Sequence, residues 1–228
     1  MSSPVRVLLV GAAGRMGRTV VDLAKADPKI QIVAECDLGD SIEAAMQNCD
    51  VIVDFSHAGA IDEICRAASQ HGKSLVIGTT GHSQEQRRII EKAAESLPIV
   101  FASNFSIGVN VLFWLTRKAA ELLGRDFSPE IIETHHKMKK DAPSGTAKTL
   151  ADVLKTVQEI QSEIPIQSIR EGEVVGMHEV VLNSSHDRIY LCHDSKSRRG
   201  FAEGAVRGAE WLAGKQGFFE FREIWKQL

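Results

Sequence analysis

The N-terminal segment constrains the fold of this chain more than any other part of it. The apolar run Val5–Val10 leads directly into Gly11-Ala12-Ala13-Gly14-Arg15-Met16-Gly17, which reads as a strand, a glycine turn and a helix start. Gly11 would permit the tight turn, Gly14 would let the backbone approach a pyrophosphate, and Gly17 would let the helix lie close to the sheet. Backbone N–H groups at a helix start bind phosphate oxygens, so this segment predicts a dinucleotide site. The spacing is G-x-x-G-x-x-G, and the alternative is a turn that binds no ligand.

The first half of the chain repeats the same alternation of strand and helix. Further apolar runs lie at Ile30–Ala34, Val51–Phe55, Leu75–Ile77 and Ile99–Ala102, and amphipathic stretches lie at Arg18–Ala26, Ser41–Gln47, Ala60–His71 and Gln84–Ser96. Near-continuous apolar runs are typical of strands that are buried on both faces. The pattern predicts a Rossmann-type, doubly wound parallel sheet, in which ligands bind beyond the carboxyl ends of the strands.

Residues that follow the predicted strands are therefore candidates for cofactor binding. Asp37 stands 20 positions after Gly17, where a carboxylate can meet the adenosine ribose, with Glu35 as a close competitor. The next residue, Leu38, is not a basic residue that would accept a 2′-phosphate, which favours NADH over NADPH. The two remaining candidate loops are Gly78-Thr79-Thr80-Gly81 and Ala102-Ser103-Asn104-Phe105, whose small and hydroxyl-bearing residues would let a nicotinamide ring lie against the backbone.

A different pattern begins after residue 106. Helices are predicted at Val109–Leu123, Ser144–Gln161 and Phe201–Ala213, and strands at Glu130–His135, Ile166–Arg170, His178–Leu182 and Ile189–His193. The last two strands are separated by the turn formers Asn183–Asp187 and should form an antiparallel hairpin. We therefore predict a smaller α+β domain with an open mixed or antiparallel sheet over residues 107–195, inserted in a dinucleotide-binding domain made of residues 1–106 and 196–228.

Composition excludes several classes of protein. The net charge of −3 argues against nucleic acid as the main partner. The Val5–Val10 run is too short to span a bilayer, which predicts no membrane association. The four cysteines show no Cys-x-x-Cys spacing, so free thiols in a reducing compartment, the cytoplasm, are expected.

The segment Glu133–Thr146 carries the second chemical signal. Two imidazoles and three ammonium groups are crowded before a Pro-Ser-Gly-Thr helix start, an arrangement that fits a small polyanion and the protonation of an intermediate. His135 is the natural general acid, because the unperturbed pKa of a histidine lies near working pH. Lys139 supplies a charge and a proton, His136 a hydrogen bond, and Ser144, Gly145 and Thr146 a helix N-terminus for a carboxylate. Asp141 would stabilise this loop or orient one of its cations.

The histidines have two other interpretations, as metal ligands and as structural residues of the core. His135 and His136 point to opposite faces of a strand, which disfavours a shared metal ion. Glu133 and His135 share a face, but the sequence shows no third ligand, so no metal site is expected. Either histidine could also be a core residue with a structural role.

These residues together resemble the 4-hydroxy-tetrahydrodipicolinate reductase (dihydrodipicolinate reductase) family of lysine biosynthesis. The matching motifs are Val10-Gly-Ala-Ala-Gly-Arg-Met-Gly17, Asp54-Phe55-Ser56, Val76-Ile-Gly-Thr-Thr-Gly81, Ala102-Ser-Asn-Phe-Ser-Ile-Gly-Val-Asn110, Glu133-Thr-His-His-Lys-Met-Lys-Lys-Asp-Ala-Pro-Ser-Gly-Thr-Ala147 and Gly204-Ala-Val-Arg207. Compared with the family pattern, the stretch after Asp37 and the loop before Ile166 are short.

The resemblance implies an enzyme in which NADH or NADPH delivers hydride to a cyclic imine that carries two carboxylates. It places His135 on the catalytic proton donor, Lys139 on the second catalytic residue, and His136, Gly145 and Thr146 on substrate contacts. It places the Gly11–Met16 turn, Asp37, Gly78–Thr80 and Ala102–Phe105 on cofactor contacts, and we include Phe55 of the second motif among them. It also implies a homotetramer built through the sheet of the inserted domain.

Two alternatives remain open at this stage. The first is an NAD-dependent reductase or dehydrogenase of another small dicarboxylate such as aspartate. The second is a catalytically silent dinucleotide-sensing module, for which His135 and Lys139 would have to be dispensable.

Overall fold

The computed structural model describes residues 3–227, apart from the side chain of Glu223. The chain divides into two compact units. One contains the residues up to Ser106 together with those from Arg199 onward, and the other contains Ile107–Arg198. None of the helices in the described part of the chain is both long and apolar enough to cross a bilayer.

The first unit is built on a parallel sheet. Its elements up to residue 106 are β1 (Val5–Val10), α1 (Arg15–Ala24), β2 (Ile30–Cys36), α2 (Ile42–Ala45), β3 (Val51–Asp54), α3 (Ile61–His71), β4 (Ser74–Ile77), α4 (Gln84–Ala93) and β5 (Ile99–Phe101). The predicted strands and helices of this half are therefore confirmed, with ends that differ by a few residues. Every neighbouring pair of strands in this sheet is parallel, which confirms the Rossmann-type fold.

The second unit contains a four-stranded mixed sheet and two helices. Its elements are α5 (Ile107–Leu123), β6 (Ser128–His135), α6 (Gly145–Gln158), β7 (Ile166–Arg170), β8 (Met177–Asn183) and β9 (Arg188–Asp194), with strand order β7-β6-β8-β9. The predicted hairpin is present, because β8 and β9 pair antiparallel from Met177 with Asp194 to Asn183 with Arg188. The β6–β8 pair is also antiparallel, whereas β7 runs parallel to β6.

The chain then returns to complete the first unit. It adds α7 (Arg199–Trp211), the short strand β10 (Phe218–Glu220) and α8 (Phe221–Ile224). β10 pairs with β5 and gives a six-stranded sheet of order β10-β5-β4-β3-β1-β2. Strand β10 was not predicted from the sequence, because three residues after Gly217 are too few to show the two-residue alternation of a strand.

Two apolar layers cover the two faces of this sheet. One layer includes Leu8, Ile52 and Ile77 of the strands with buried residues of α2, α3 and α4. The other includes Val7, Leu9 and Val53 of the strands with buried residues of α1, α7 and α8. Burial on both faces explains why the strands read as continuous apolar runs rather than as alternating ones.

Candidate active site

The predicted cofactor residues lie along the carboxyl edge of the parallel sheet. The last residues of neighbouring strands are in register, with Val10 beside both Cys36 and Asp54 and with Ile77 beside both Asp54 and Phe101. The residues that come next therefore form one row. This row is made of Gly11, Asp37, Phe55, the Gly78-Thr79-Thr80 loop and the Ala102-Ser103-Asn104-Phe105 loop.

The glycine turn between β1 and α1 requires glycine at two of its positions. Gly11 has a positive φ of 83°, and a Cβ there would lie 2.5 Å from the carbonyl oxygen of Phe55. A Cβ on Gly17, in the first turn of α1, would lie 2.2 Å from the carbonyl oxygen of Gly11. The helix start is therefore held tightly against the turn, as the sequence predicted.

The geometry of this turn fits a dinucleotide. Gly14 is the N-cap of α1 and has no side chain to bond the first amide groups of the helix. The small residues Ala12 and Ala13 lie in the turn, and Arg15 and Met16 lie in the first turn of the helix. A cavity of about 360 Å³ opens beside it and is lined by Gly11, Gly14, Asp37 and Phe55 among others. Exposed amide groups at a helix N-terminus, next to a cavity, are what a pyrophosphate requires.

The carboxylate of Asp37 already contacts the glycine turn. The backbone N–H of Ala13 donates to both carboxylate oxygens of Asp37, at 3.1 and 3.0 Å. The N–H of Asp37 in turn donates to Oδ2 of Asp40 at 2.8 Å. Asp37 is therefore held at the mouth of the cavity, beside the 92% exposed Leu38.

Packing between the loops fixes the middle of the row. A Cβ on Gly78 would lie 2.2 Å from Cε1 of the Phe55 ring, so only glycine lets that ring lie against the loop after β4. The Phe55 ring also meets Phe105 edge to face, with centroids 6.2 Å apart. The buried carboxylate of Asp54 accepts hydrogen bonds from the backbone N–H (2.9 Å) and hydroxyl (2.5 Å) of Ser56. These contacts make the loop after β3 a rigid part of the site.

The second unit brings together the predicted acid, His135, and a buried carboxylate. Glu133 and His135 lie on the same face of β6, and Oε2 of Glu133 is 2.6 Å from Nδ1 of His135. The other oxygen, Oε1, accepts hydrogen bonds from Nη2 of Arg170 at 2.9 Å and from the backbone N–H of Ser144 at 3.3 Å. Burial alone would raise the pKa of Glu133, but the hydrogen bonds from His135, Ser168 and Arg170 lower it well below its usual range. Glu133 is thus a buried anion with a close partner at each of its two oxygens.

His178 is a further residue of the candidate site. From the sequence it was predicted only to lie in a strand. It lies opposite Glu133 in the β6–β8 register, and its ring meets that of His135 edge to face with centroids 5.0 Å apart. Nε2 of His178 is 3.2 Å from the hydroxyl oxygen of Ser144, the residue that caps α6 by accepting the N–H of Ala147. Burial and the neighbouring positive charge of His135 lower the pKa of His178 to about 3. His178 is therefore neutral at working pH.

Lys139 lies in the loop that joins β6 to α6. Its Nζ is 2.8 Å from Oδ1 of Asp141, which confirms that Asp141 orients a cation of this loop. The charge and hydrogen bond of Lys139 lower the pKa of Asp141, against the effect of partial burial. Arg170 ties the loop to β7, because its guanidinium donates to the carbonyl oxygens of Lys139 and Asp141 at 3.3 and 2.6 Å.

The remaining predicted substrate residues lie at the two ends of this loop. His136 is buried, and its backbone N–H donates to the carbonyl oxygen of Val174 at 2.7 Å. Ser144 is the N-cap of α6, and Gly145 and Thr146 form its first turn. Ser144 and Thr146 are both buried, so the N-terminus of α6 points at the same polar cluster as Glu133.

Glu133, His135 and His178 also form a three-residue group that could be considered for a metal ion. Their ligand atoms lie within 4.8 Å of one another, so the structure supplies the third neighbour that the sequence did not reveal. The separation of 2.6 Å between Glu133 and His135 is a hydrogen-bond distance, whereas two ligands of one tetrahedral zinc ion lie about 3.3 Å apart. The guanidinium of Arg170 on the same carboxylate further opposes a cation. The geometry therefore favours an acid–base pair.

Comparison with known proteins gives one consistent result. The protein-family model for the N-terminus of dihydrodipicolinate reductase matches residues 5–105, and the family model for its C-terminus matches residues 108–225. The 4-hydroxy-tetrahydrodipicolinate reductase of Akkermansia muciniphila is 41% identical over 239 residues, covering 96% of this chain and 97% of the relative. The enzyme of the same name from Rickettsia bellii is 36% identical and covers 98% of this chain and 96% of its own.

A solved structure agrees with the sequence relatives. Dipicolinate-bound dihydrodipicolinate reductase from Paenisporosarcina sp. TG-14 superimposes with a TM-score of 0.80 at 25% identity, over 97% of this chain and 99% of that one. Both halves of the family pattern are thus present, in order, over nearly the whole chain. The chain belongs to the dihydrodipicolinate reductase family.

Proposed function

We propose that this protein reduces 4-hydroxy-tetrahydrodipicolinate to tetrahydrodipicolinate with NADH or NADPH, in the branch of metabolism that makes diaminopimelate and lysine. The buried Glu133–His135 pair beside the N-terminus of α6 supports this function most directly, in a chain whose two halves both match this family. A silent sensing module has no use for an ionised carboxylate held against a histidine in the interior.

The cofactor site is assigned to the row of residues at the carboxyl edge of the parallel sheet. The turn from Gly11 to Gly17 would hold the pyrophosphate, and Asp37 the adenosine ribose. Phe55, Gly78–Thr80 and Ala102–Phe105 would flank the nicotinamide end. When bound, the reduced nicotinamide supplies the hydride. NADH is the preferred form, because the carboxylate of Asp37 repels a 2′-phosphate and Leu38 does not offset that charge.

The substrate is a small dicarboxylate, and the residues around the loop after β6 suit it. The N-terminus of α6, which begins after the Ser144 cap, offers the backbone N–H groups of Gly145 and Thr146 to one carboxylate. His136 and Lys139 add a hydrogen bond and a positive charge. Lys139 exchanges its contact with Asp141 for one with the substrate, since both partners are carboxylates.

His135 is the proton donor of this proposal, and Lys139 is the second catalytic residue. The 4-hydroxyl group of the substrate is first lost as water, which leaves an unsaturated cyclic imine. After hydride addition to this imine, the displaced electron pair must take up a proton. His135 is suited to give it, because it is buried and its Nδ1 is held by Glu133. The Lys139 ammonium stabilises the developing negative charge through its own charge.

The assay that tests the function uses substrate made in place by the upstream synthase, with cofactor oxidation followed by absorbance. Turnover that depends on both the synthase and this protein supports the proposal. Oxidation of aspartate with NAD in the absence of the cyclic imine would instead support the alternative dicarboxylate dehydrogenase. Tight binding of NADH without any turnover would identify a sensing module.

A further inference from the structure

The surroundings of His135 define the position of its proton. Nδ1 of His135 faces Oε2 of Glu133 at 2.6 Å, and an ionised carboxylate can only accept a hydrogen bond. Nδ1 must therefore carry a hydrogen in this contact. In the neutral ring, that leaves Nε2 without one.

The environment keeps Glu133 both ionised and immobile. Its side chain has no solvent exposure, and its second oxygen is held by Arg170 from β7 and by the backbone of Ser144 from the start of α6. The hydrogen bonds from His135, Ser168 and Arg170 lower the pKa of Glu133 despite its burial. Removing the carboxylate would leave Arg170 without its buried anionic partner, so the three elements are coupled through one side chain.

Nε2 of His135 faces the chain at Gly176. A Cβ on Gly176 would lie 3.1 Å from Nε2 and 3.3 Å from Cδ2 of His135, closer than ordinary contact. The ring of His178 packs edge to face against His135 from the next strand. Glycine at 176 thus leaves room on the Nε2 side of the ring, while the Nδ1 side is closed by Glu133.

From these contacts we infer that Glu133 is a positioning residue that holds His135 with Nδ1–H toward the interior, so that Nε2 is the atom that gives its proton to the substrate. The inference rests on the proposed function, which makes His135 the proton donor. In the step itself, hydride from the reduced nicotinamide forms a C–H bond and the displaced electron pair takes the proton from Nε2 of the imidazolium. Neutral His135 remains, with its single N–H still bonded to Glu133.

His178 and Arg170 support this arrangement without exchanging protons. The low pKa of His178, about 3, keeps that ring uncharged, so it does not compete with His135 for a proton or for Glu133. Since Ser144 already accepts the N–H of Ala147, its hydroxyl hydrogen is available for Nε2 of His178. Glu133 and His178 contact His135 directly, Arg170 contacts Glu133, and the charges of His193 and Lys139 act on His178 in the same cluster.

The first test needs no change to Glu133. ¹⁵N NMR of the full-length protein, labelled at histidine and without substrate, reports which ring nitrogen carries hydrogen, and the signal of His135 is identified by its loss in His135→Gln. We expect the Nδ1–H tautomer for neutral His135. The Nε2–H tautomer would overturn the inference whether or not the protein turns over the proposed substrate.

The second test is kinetic and uses Glu133→Gln, with Glu130→Gln on the same strand as its matched control. Glu130 lies on the opposite face of β6 and is paired only with Asn183 at 3.4 Å among the contacts described. In Glu133→Gln we expect kcat to fall by about 10²-fold or more, the scale of a misplaced proton donor. KM for the substrate should change by less than about threefold, and the alkaline limb of the kcat profile should move to lower pH, the usual effect of losing an adjacent opposite charge.

The outcomes separate the two proposals. A parent enzyme without turnover of the cyclic imine would contradict the proposed function alone. A parent that turns over, combined with a Glu133→Gln variant whose pH profile and kcat match those of Glu130→Gln, would reject the positioning role. If Glu133→Gln does not fold, Glu133→Asp preserves the charge. That variant should retain the Nδ1–H tautomer and the parental pH profile, and the opposite tautomer in it would also reject the role.

Discussion

We propose that catalysis in this protein depends on two side chains within one short segment of strand and loop, His135 and Lys139. We predict that His135→Gln and Lys139→Ala each lower kcat by about 10²- to 10⁴-fold, which is the usual contribution of a positioned proton donor. Cofactor binding should persist, since both residues belong to the second unit whereas the glycine turn belongs to the first. Steady-state kinetics and NADH titration by fluorescence measure the two effects separately.

Lys140 provides the control for charge alone. It is exposed and neighbours Lys139, so Lys140→Ala removes one positive charge from the same loop without touching the buried cluster. We expect this variant to retain most of the parental activity. Near-parental turnover in both His135→Gln and Lys139→Ala would refute the assignment of these residues.

The buried histidine at 178 makes the fold sensitive to acid. Burial and the charge of His135 lower the pKa of His178 from 6.5 to about 3. Between these values the unfolded chain binds a proton that the folded chain does not, so the free energy of unfolding falls as pH falls, by up to about 1.4 kcal/mol per pH unit. His178→Gln should therefore lose less stability than the parent between pH 6.5 and 5.

Urea unfolding at a series of pH values measures this difference. The pKa of Glu133 is also lowered, but protonation of carboxyl groups in the unfolded chain begins only as pH falls to their ordinary pKa of 4.5. Glu133 therefore does not change the pH dependence of stability above pH 5. The exposed His186, in the turn between β8 and β9, gives a control variant, His186→Gln. Equal acid sensitivity of the parent and His178→Gln would show that His178 does not titrate as described.

We propose that the choice between NADH and NADPH is decided near Asp37. We expect the parent to prefer NADH by about tenfold in kcat/KM, equivalent to about 1–2 kcal/mol, the scale of one partly solvated charge interaction. The double substitution Asp37→Ser and Leu38→Arg removes the repulsive carboxylate and adds a cation, so it should shift the ratio toward NADPH. A parent that clearly favours NADPH would mean that Asp37 is not the ribose ligand, or that Arg15 or Arg18 dominates.

The sequence predicted most single residues of the site but not their partners. His135, Lys139 and Ser144 stand close together in the chain, and their residue types alone indicate an acid and an anion site. His178 and Arg170 join the cluster only through strand pairing. His178 lies 34 positions after its partner Ser144, and Arg170 lies 37 positions after its partner Glu133. A pattern read along the chain carries no register, so these contacts could not be predicted.

Among the helices, α7 shows how close packing depends on one position. A Cβ on Gly204 would lie 1.9 Å from the carbonyl oxygen of Phe105, in the first unit. A Cβ on Gly208, one turn later, would meet only side-chain atoms at 3.7 Å or more. We predict that Gly204→Ala lowers the free energy of unfolding by about 1–3 kcal/mol, as overpacking does, whereas Gly208→Ala is neutral or gains up to about 1 kcal/mol from helix propensity.

Thermal and urea unfolding of the two variants compare the same substitution in the same helix. The structure requires a residue without a Cβ at Gly204, whereas a Cβ at Gly208 would make only ordinary contacts. Equal stabilities would indicate that α7 shifts to accommodate the methyl group. The short strand β10 could not be predicted for a related reason. Its role, like that of Gly204, is defined by a neighbour that is distant in sequence, in this case the strand β5.

At the scale of the whole molecule, we predict a homotetramer assembled through the sheet of the second unit. The edge strand β9 exposes alternate residues, including Tyr190, which is 57% exposed. An open edge strand with an exposed aromatic residue favours pairing with another copy. Light scattering at micromolar concentration should give the mass of four chains, and Tyr190→Glu should lower it. A monomeric parent would contradict the prediction.

The two apolar layers of the first sheet become complete at different times during synthesis. Within the described part of the chain, the layer on one face is made of residues between Leu8 and Phe101, so these members exist before the second unit is translated. The opposite layer needs Ala202, Ala205, Val206 and Phe221, which leave the ribosome only after the second unit. Throughout translation of the inserted unit, the nascent sheet therefore presents one unfinished apolar face. Transiently exposed apolar surface of this kind is prone to aggregation, so synthesis of the segment that returns to the first unit, from Arg199 onward, ends this exposure.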